Sequence, residues 1–577
     1  MSWGLYFSSN DDLLLRSIMS GDYTGTPDAH LVYIMYPLGL LFKFLYTVAP
    51  KVSWYEVFTV SVHLACIVIL SGLGLSLFDA KKSNAEKGVN GSGAGGYSIL
   101  RKVLGCLGIF TLLAGVDLPF LFVSQYTATA GLLAATAVVC LLGKNDIPAA
   151  VLFVLSLWLR KQVFFMALPV ALAAFAVRLF GEKRRISKES AAAGKTNYIK
   201  GLNKRKITGR IITLAAALAI TGASFIADGI AYSSSQWKDF KAFDAQRRRV
   251  YDYGLLPEYA GNEAFFDKLG INTDEYTALV EYDLDAVDGL NTDIIKEIAD
   301  RQQAVLDEWK QYYNVFNKTV RDTALNIAGN IKNLHGILAI IIMVVSTVVL
   351  FIRMIGKKEI LPFAGMLLTG IYYFSFTALF SYLGRLPERV MFGLDMLLIA
   401  FGLFGMLNSF KDVKGKAAYA MPVILAAVAV PVMIISIRQT GVLLKDASAR
   451  MEEYDEVMQT VGRNSDAVFF IDTNVFENAA GIMTEYMDEE YLYEPAGAIK
   501  MTDWLYGSPL REQRKERLGV KSLFENEFEG KRFVIIPRDK SSDWLGSILG
   551  GYGLSIKEAG CVSGNNIYSL VPQNDSR

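Results

Sequence analysis

The chain has 577 residues, 52% of them hydrophobic, with a net charge of +1 and a mean hydropathy of +0.30. Apolar residues gathered into runs of about 20 exclude an ordinary soluble domain, and the balanced charge excludes the broad positive field of a nucleic-acid-binding protein. Four cysteines without a CxxC pair and three scattered histidines exclude a disulfide framework and a multi-histidine metal centre.

The first residues are apolar and turn polar at Ser8. They read as the tail of a membrane helix whose beginning would lie upstream. The rest of the segment 1–53 carries two adjacent carboxylates, Asp11 and Asp12, then a helix-like run, a turn at Gly21 and Asp22, and Asp28 with His30. The apolar stretch 31–50 contains Pro37, Lys43 and Pro50, which predicts an interfacial helix rather than a span.

About ten apolar runs then follow, at 54–78, 103–123, 126–143, 147–160, 163–180, 210–232, 335–354, 361–383, 388–409 and 418–437. The run 147–160 is short for a bilayer. If all ten alternate, the basic segments 79–102, 181–209, Lys357 with Lys358, and Lys411 to Lys416 fall on one side, which is then the cytoplasmic one. The glycine-rich stretch Asn90 to Gly96 reads as a flexible linker there.

The opposite face receives the segment 1–53, an acidic helix-prone block at 233–334 and a C-terminal block at 438–577. Asp293 to Lys310 has the spacing of an amphipathic helix. Strand-like runs at Ala467 to Ile471 and Arg532 to Pro537 predict a small α/β domain. The expected fold is therefore mainly α. Membrane helices fill 54–232 and 335–437, and the polar blocks 233–334 and 438–577 lie outside the cytoplasm.

Certain polar residues stand where a membrane protein usually has none. Arg160 and Lys161 separate two apolar runs on the outer face, and Arg385, Glu388 and Arg389 separate two others. Charge at such depth is a functional candidate, and guanidinium suits a phosphate. Local ion pairing or snorkelling explains the same residues without function. Asp11 and Asp12 can supply a base for an attacking hydroxyl, or can cap a helix. Tyr126 suits a sugar site or an interfacial aromatic belt. His63 reads as a hydrogen-bonded packing residue, Asp117 as a group near an outer helix end, and Arg247 to Arg249 as a solvated charge run.

The order Asp11–Asp12, Gly21–Asp22, Asp28 with His30, then Pro37–Leu38 resembles the first outer loop of GT-C glycosyltransferases, in particular the protein mannosyltransferase and lipid A aminoarabinose transferase branches. The resemblance covers about 40 residues and lacks the double proline of that family's pattern. It implies a multi-pass enzyme that takes a sugar from a polyprenyl-phosphate donor to a glycan, lipid or protein acceptor in the cell envelope. Asp11 or Asp12 would be the catalytic base. Asp28, His30, Arg160, Lys161, Arg385, Arg389 and Tyr126 would bind substrate. No cofactor is required by this reading, though a divalent metal fits it. Two other classes are compatible with the sequence: an O-antigen polymerase or ligase, which shares outer arginines, and a transporter or flippase. The scarcity of mid-membrane charges and the absence of inverted broken helices argue against the transporter.

Overall fold

The computed structural model describes residues 4–8, 10–77, 94–193, 196–312, 315–410, 420–464, 466–476, 497–524 and 531–573. It is mainly helical. A two-residue strand β1 (Tyr6–Phe7) leads into α1 (Asn10–Ser20) and the short apolar α2 (Tyr36–Val48), which has Pro37 in its first turn. The bundle continues through α3 (Trp54–Leu77), α4 (Ala94–Phe122), a strand β2 (Val123–Ser124), α5 (Tyr126–Leu142), α6 (Asp146–Leu159), α7 (Lys161–Ala193) and α8 (Thr196–Ala231). A polar helical block follows: α9 (Ser235–Tyr251), α10 (Glu263–Lys268), α11 (Thr273–Glu281), α12 (Thr292–Tyr312) and α13 (Val315–Asn330). The bundle resumes with α14 (Leu334–Lys357), α15 (Ile360–Tyr382), α16 (Glu388–Phe410) and α17 (Ala420–Gly462).

Among the described residues, eight helices are long and apolar enough to cross a membrane: α3, α4, α7, α8 and α14 to α17. The runs read as spans at 126–143 and 147–160 form helices of only 17 and 14 residues. At 1.5 Å per residue these reach about 25 and 21 Å, short of a hydrocarbon core of about 30 Å. Both still carry the chain from one end of the bundle to the other and back. Arg160, just past α6, lies over the ring of Tyr126 at the start of α5. We call this the site end.

The packing explains why α5 can be short. Its residues from Tyr126 to Cys140 are all buried, so protein rather than lipid surrounds it. Small residues permit this approach. A Cβ added to Gly131 would stand 2.5 Å from the Cα of Gly393 on α16, the close backbone contact that small residues allow between membrane helices. By contrast α8 is almost wholly exposed along its apolar stretch.

At the far end, the segment 181–209 is not a loop. Helices α7 and α8 extend through most of it. There Arg178 makes a two-pronged contact with Asp146, at 2.5 and 2.9 Å, and Arg210 pairs with Glu182. These bonds tie the start of α6 and the middle of α8 to α7. Lys81, Lys82, Lys87, Lys411, Lys414 and Lys416 lie outside the described residues, as does the glycine-rich stretch ahead of Ala94. Ala94, Gly95 and Gly96, expected in a linker, already belong to α4.

Beyond α17 the chain builds a five-stranded mixed sheet in the order β4-β3-β5-β7-β6. Its strands are β3 (Ala467–Ile471), β4 (Ala498–Lys500), β5 (Lys531–Pro537), β6 (Leu554–Val562) and β7 (Asn565–Pro572), with helices α18 (Thr473–Phe476), α19 (Pro509–Leu518) and α20 (Asp543–Gly551). The interior strand β3 is buried along its whole length, as expected of a hydrophobic strand between two parallel neighbours. This domain closes over the site end. Arg514 and Arg517 of α19 donate to the backbone carbonyls of Asp22 and Tyr23, and Arg511 pairs with Asp285 of the helical block at 2.5 Å.

The α5–α16 contact is a test of this packing. Gly131→Ala is expected to destabilise the chain by about 1–3 kcal/mol, because neither backbone can move without parting the bundle. Gly222→Ala on exposed α8, where nothing lies within 4 Å, is expected to be neutral. Thermal unfolding of both variants in detergent checks the difference.

Candidate functional site

The site is set by how α1 is seated. Strand β1 pairs parallel with β2, and the Ser8 amide donates to the Ser124 carbonyl at 2.8 Å. The chain thus enters α1 beside the start of α5. One face of α1 then carries Asp12 and Arg16, a helical turn apart. Asp12 accepts hydrogen bonds from the Tyr55 hydroxyl at 2.7 Å and the Tyr126 amide at 3.0 Å. Arg16 pairs with Glu56 at 3.0 Å. Tyr55 and Glu56 are neighbours in the first turn of α3, so two polar bonds fix both the height and the rotation of α1. Asp12, Arg16 and Glu56 are all buried.

Asp11 is one residue, hence about 100° of helix rotation, away from Asp12. It is partly buried and makes no hydrogen bond or ion pair with the described residues. Burial raises its carboxyl above the ordinary value of 3.8, against the pull of Arg389, Arg160 and Arg247. A partly buried carboxylate under the influence of three guanidinium groups, without being pinned to any of them, is able to accept a proton.

The three arginines come from different elements. Arg160 sits in extended conformation between α6 and α7, with its guanidinium 5.1 Å from the Tyr33 ring centre and 5.2 Å from that of Tyr126. Its buried Nη1 has no hydrogen-bond partner among the described residues. Arg247 of α9 is held by Asp244 and by the Tyr282 hydroxyl, at 2.6 Å. It is buried, which corrects the reading of Arg247 to Arg249 as a solvated run. Arg389 opens the first turn of α16.

Arg389 also lines a cavity of about 720 Å³ between α4, α14, α16 and α17. Much of the wall is apolar: Val116, Pro119, Phe120, Leu334, Val442 and Leu443. The polar lining is gathered in Gln125, His335, Glu388, Arg389, Arg438 and Gln439. Neither Arg389 nor Arg438 forms an ion pair with the described residues. Arg389 therefore both lines the cavity and acts electrostatically on Asp11, while the apolar walls suit a hydrocarbon chain.

The remaining sequence candidates divide. Tyr126 is buried in the protein and stacks with Tyr33 at 6.4 Å, so it is not an interfacial belt residue. Tyr33 in turn touches Trp504 of the C-terminal domain at 4.7 Å. Arg385 pairs with Asp252 at the end of α9. Asp28 and His30 are bonded to each other at 2.7 Å, and His30 stacks on Trp237 at 5.2 Å. Burial disfavours the Asp28 carboxylate, but the hydrogen bonds from His30 outweigh it and hold the carboxyl below its ordinary value. Burial lowers the Lys241 ammonium, and Lys161, which opens α7, is near enough to add to the effect. Lys241 lies over Tyr232 beside Trp237. These groups form a second cluster under α9, and among the described residues no direct contact joins it to Asp11. Asp117 is not in the cavity lining. It bonds His63 at 2.8 Å, and His63 reaches Thr129 at 3.0 Å, a closed polar network inside the bundle.

Sequence reasoning missed Arg438, Trp504 and Tyr33. Arg438 had a legible signal: it directly follows the last apolar run. Trp504 had none, because only the folding of the C-terminal domain brings it to the site. Among the described residues, no three His, Cys, Asp or Glu side chains are placed to hold a metal ion. Comparison of the chain with models of known families, with curated proteins and with solved structures finds no match.

The two neighbouring carboxylates are expected to separate in a stability measurement. Asp12→Ala orphans two buried donors and should cost about 3 kcal/mol. Asp11→Asn should instead raise the melting temperature at neutral pH. The folded-state pKa of Asp11 lies above the unfolded one, so its contribution to stability is full in acid and lost as pH rises through the folded value. The gain from Asp11→Asn should shrink as pH is lowered, which unfolding curves across pH will read.

Proposed function

We propose that the chain is a multi-pass membrane glycosyltransferase of the GT-C type, which moves a sugar from a polyprenyl-phosphate donor to an acceptor at the site end of the bundle. The observation that carries this is an apolar-walled cavity lined by Arg389 and Arg438, with Arg389 also acting electrostatically on Asp11, a carboxylate without a hydrogen bond or ion pair among the described residues. A donor of this class has a long hydrocarbon chain, a phosphodiester and a sugar. The cavity offers apolar wall to the first and guanidinium to the second.

In the proposed reaction the acceptor hydroxyl attacks the anomeric carbon as Asp11 takes its proton. The bond from the anomeric carbon to the phosphate oxygen breaks, and the electron pair leaves on the phosphate. Arg389 and Arg438 stabilise that growing charge in a site of low dielectric, where such contacts are strong. Tyr33, Tyr126 and Trp504 present ring faces beside Asp11 and Arg160, surfaces on which a sugar ring can rest. Asp12 is assigned the seating of α1, because its carboxylate is already committed to Tyr55 and Tyr126.

The orientation belongs to this reading. The basic segments at the far end face the cytoplasm by the positive-inside rule, and the site end with residues 233–334 and 438–577 faces outward. Asp28 and His30 are assigned to the wall beneath α9, and Arg385 to holding α9 through Asp252.

Transfer from short polyprenyl-phosphate sugars by the purified chain in proteoliposomes tests the proposal. Asp11→Asn should lower kcat by at least about a hundredfold with little change in donor KM. Arg389→Ala should weaken both donor use and kcat. The rate should fall as pH drops through the raised Asp11 value, an acid limb above the range of an ordinary carboxylate. Full activity in Asp11→Asn would remove it as the base.

A further inference from the structure

We propose that His335 is a further ligand of the donor's phosphate, presenting its Nε2 into the cavity while Asp395 holds the other ring nitrogen. This rests on the reading of the cavity as a donor site and adds a residue to it.

The ring is fixed from several sides. His335 is in the first turn of α14. Its Nδ1 lies 2.8 Å from Oδ2 of Asp395 on α16, and that same oxygen accepts from the Asn330 amide at 2.9 Å. Phe120 and Phe392 pack edge-on against the ring, at 5.5 and 5.6 Å. The approach of α14 to the end of α13 is backbone-tight, since a Cβ on Gly336 would meet the Asn330 carbonyl oxygen at 2.1 Å. The imidazole therefore has one orientation available.

In that orientation His335 is 4% exposed and forms part of the cavity wall, and its Nε2 has no hydrogen-bond partner among the described residues. The nearest carboxylate oxygen, Oε1 of Glu388, stands 3.6 Å away, beyond hydrogen-bond length. The Nε2 therefore has a carboxylate at ion-pair distance but no hydrogen bond, and a ring nitrogen so deeply buried is left incomplete until an acceptor of closer fit arrives. The wall around it already holds two arginines that have no carboxylate partner among the described residues, so the ligand that suits all three is an anion.

Asp395 decides the charge. It is fully buried, and a carboxylate there favours a cation at Nδ1. An anion arriving at Nε2 favours the same imidazolium. Binding should therefore take up a proton whenever His335 is neutral beforehand. The titratable and charged groups around the ring are Asp395, Glu388 and Arg389 from α16, Tyr373 from α15, which shares the Asn330 amide, and Arg438 from α17. From α4 the ring meets Phe120.

The probe is a short polyprenyl methyl phosphodiester, which has no transferable sugar and does not itself titrate near neutral pH. Its binding to the full chain in detergent micelles is measured across pH. Wild type should bind more weakly as pH rises and the imidazolium loses its proton. His335→Gln should bind about tenfold more weakly, with a flat pH profile. Glu388 is exposed, so Glu388→Gln should fold. By removing the competing carboxylate it should tighten binding several-fold and move the pH dependence of His335 downward. Should His335→Gln not fold, that shift in Glu388→Gln decides the question.

An unchanged profile in His335→Gln, or in Glu388→Gln, would overturn the assignment and leave the glycosyltransferase reading standing. Dimethyl phosphate competing as well as the lipid would show a site for free phosphodiesters and overturn the lipid-headgroup assignment. No saturable binding by wild type would overturn both. Binding through His335 without transfer from any polyprenyl-phosphate sugar would leave the phosphate site and remove the proposed reaction.

Discussion

The buried carboxylate of Asp12, held between the Tyr55 hydroxyl and the Tyr126 amide, is the interaction on which the site depends. It binds the first helix to two others at once. In a low-dielectric interior an ionised carboxylate must find donors, and α1 can supply them to Asp12 in one rotation only. The Arg16–Glu56 pair one turn further on repeats the constraint, so the helix cannot pivot about a single bond. Everything asked of Asp11 follows from this. Its direction, burial and separation from the arginines are fixed by its neighbour.

A second consequence concerns charge. Guanidinium groups at the boundary of an apolar bundle usually find carboxylates, as Arg178 does in Asp146 and Arg385 in Asp252. Among the described residues, Arg389 and Arg438 do not. They share a cavity with apolar walls, where an entering anion would meet charge less screened than in bulk water. Asp11 lies close enough to Arg389 to feel it, yet remains free to change protonation state.

The two polar blocks act as one cover. Arg511 joins them through Asp285, while Arg514 and Arg517 reach down to carbonyls of the turn after α1. Trp504 then completes an aromatic wall with Tyr33 and Tyr126 that no single block contains. The aromatic wall thus depends on a domain from the other end of the chain. Tyr23 and Asp503, 480 residues apart in sequence, are in contact there.

Sequence alone determined the helical, membrane-compatible character of the chain, because runs of apolar residues have few other stable fates. It also determined the strands Ala467–Ile471 and Lys531–Pro537 and the amphipathic helix around Asp293, whose periodicities are local properties. Asp11, Arg160 and Arg389 were visible as charges at unusual depths. Tertiary structure decided the rest. Adjacent Asp11 and Asp12 are alike in sequence, and only the position of Tyr55 tells them apart. The shortness of α6 was already visible in its run, but that of α5 was not, because its burial comes from neighbours such as Gly393. Arg247 looked solvated until Asp244 and Tyr282 enclosed it. Burial and pairing arise from contacts between distant segments, and a one-dimensional pattern carries no record of them.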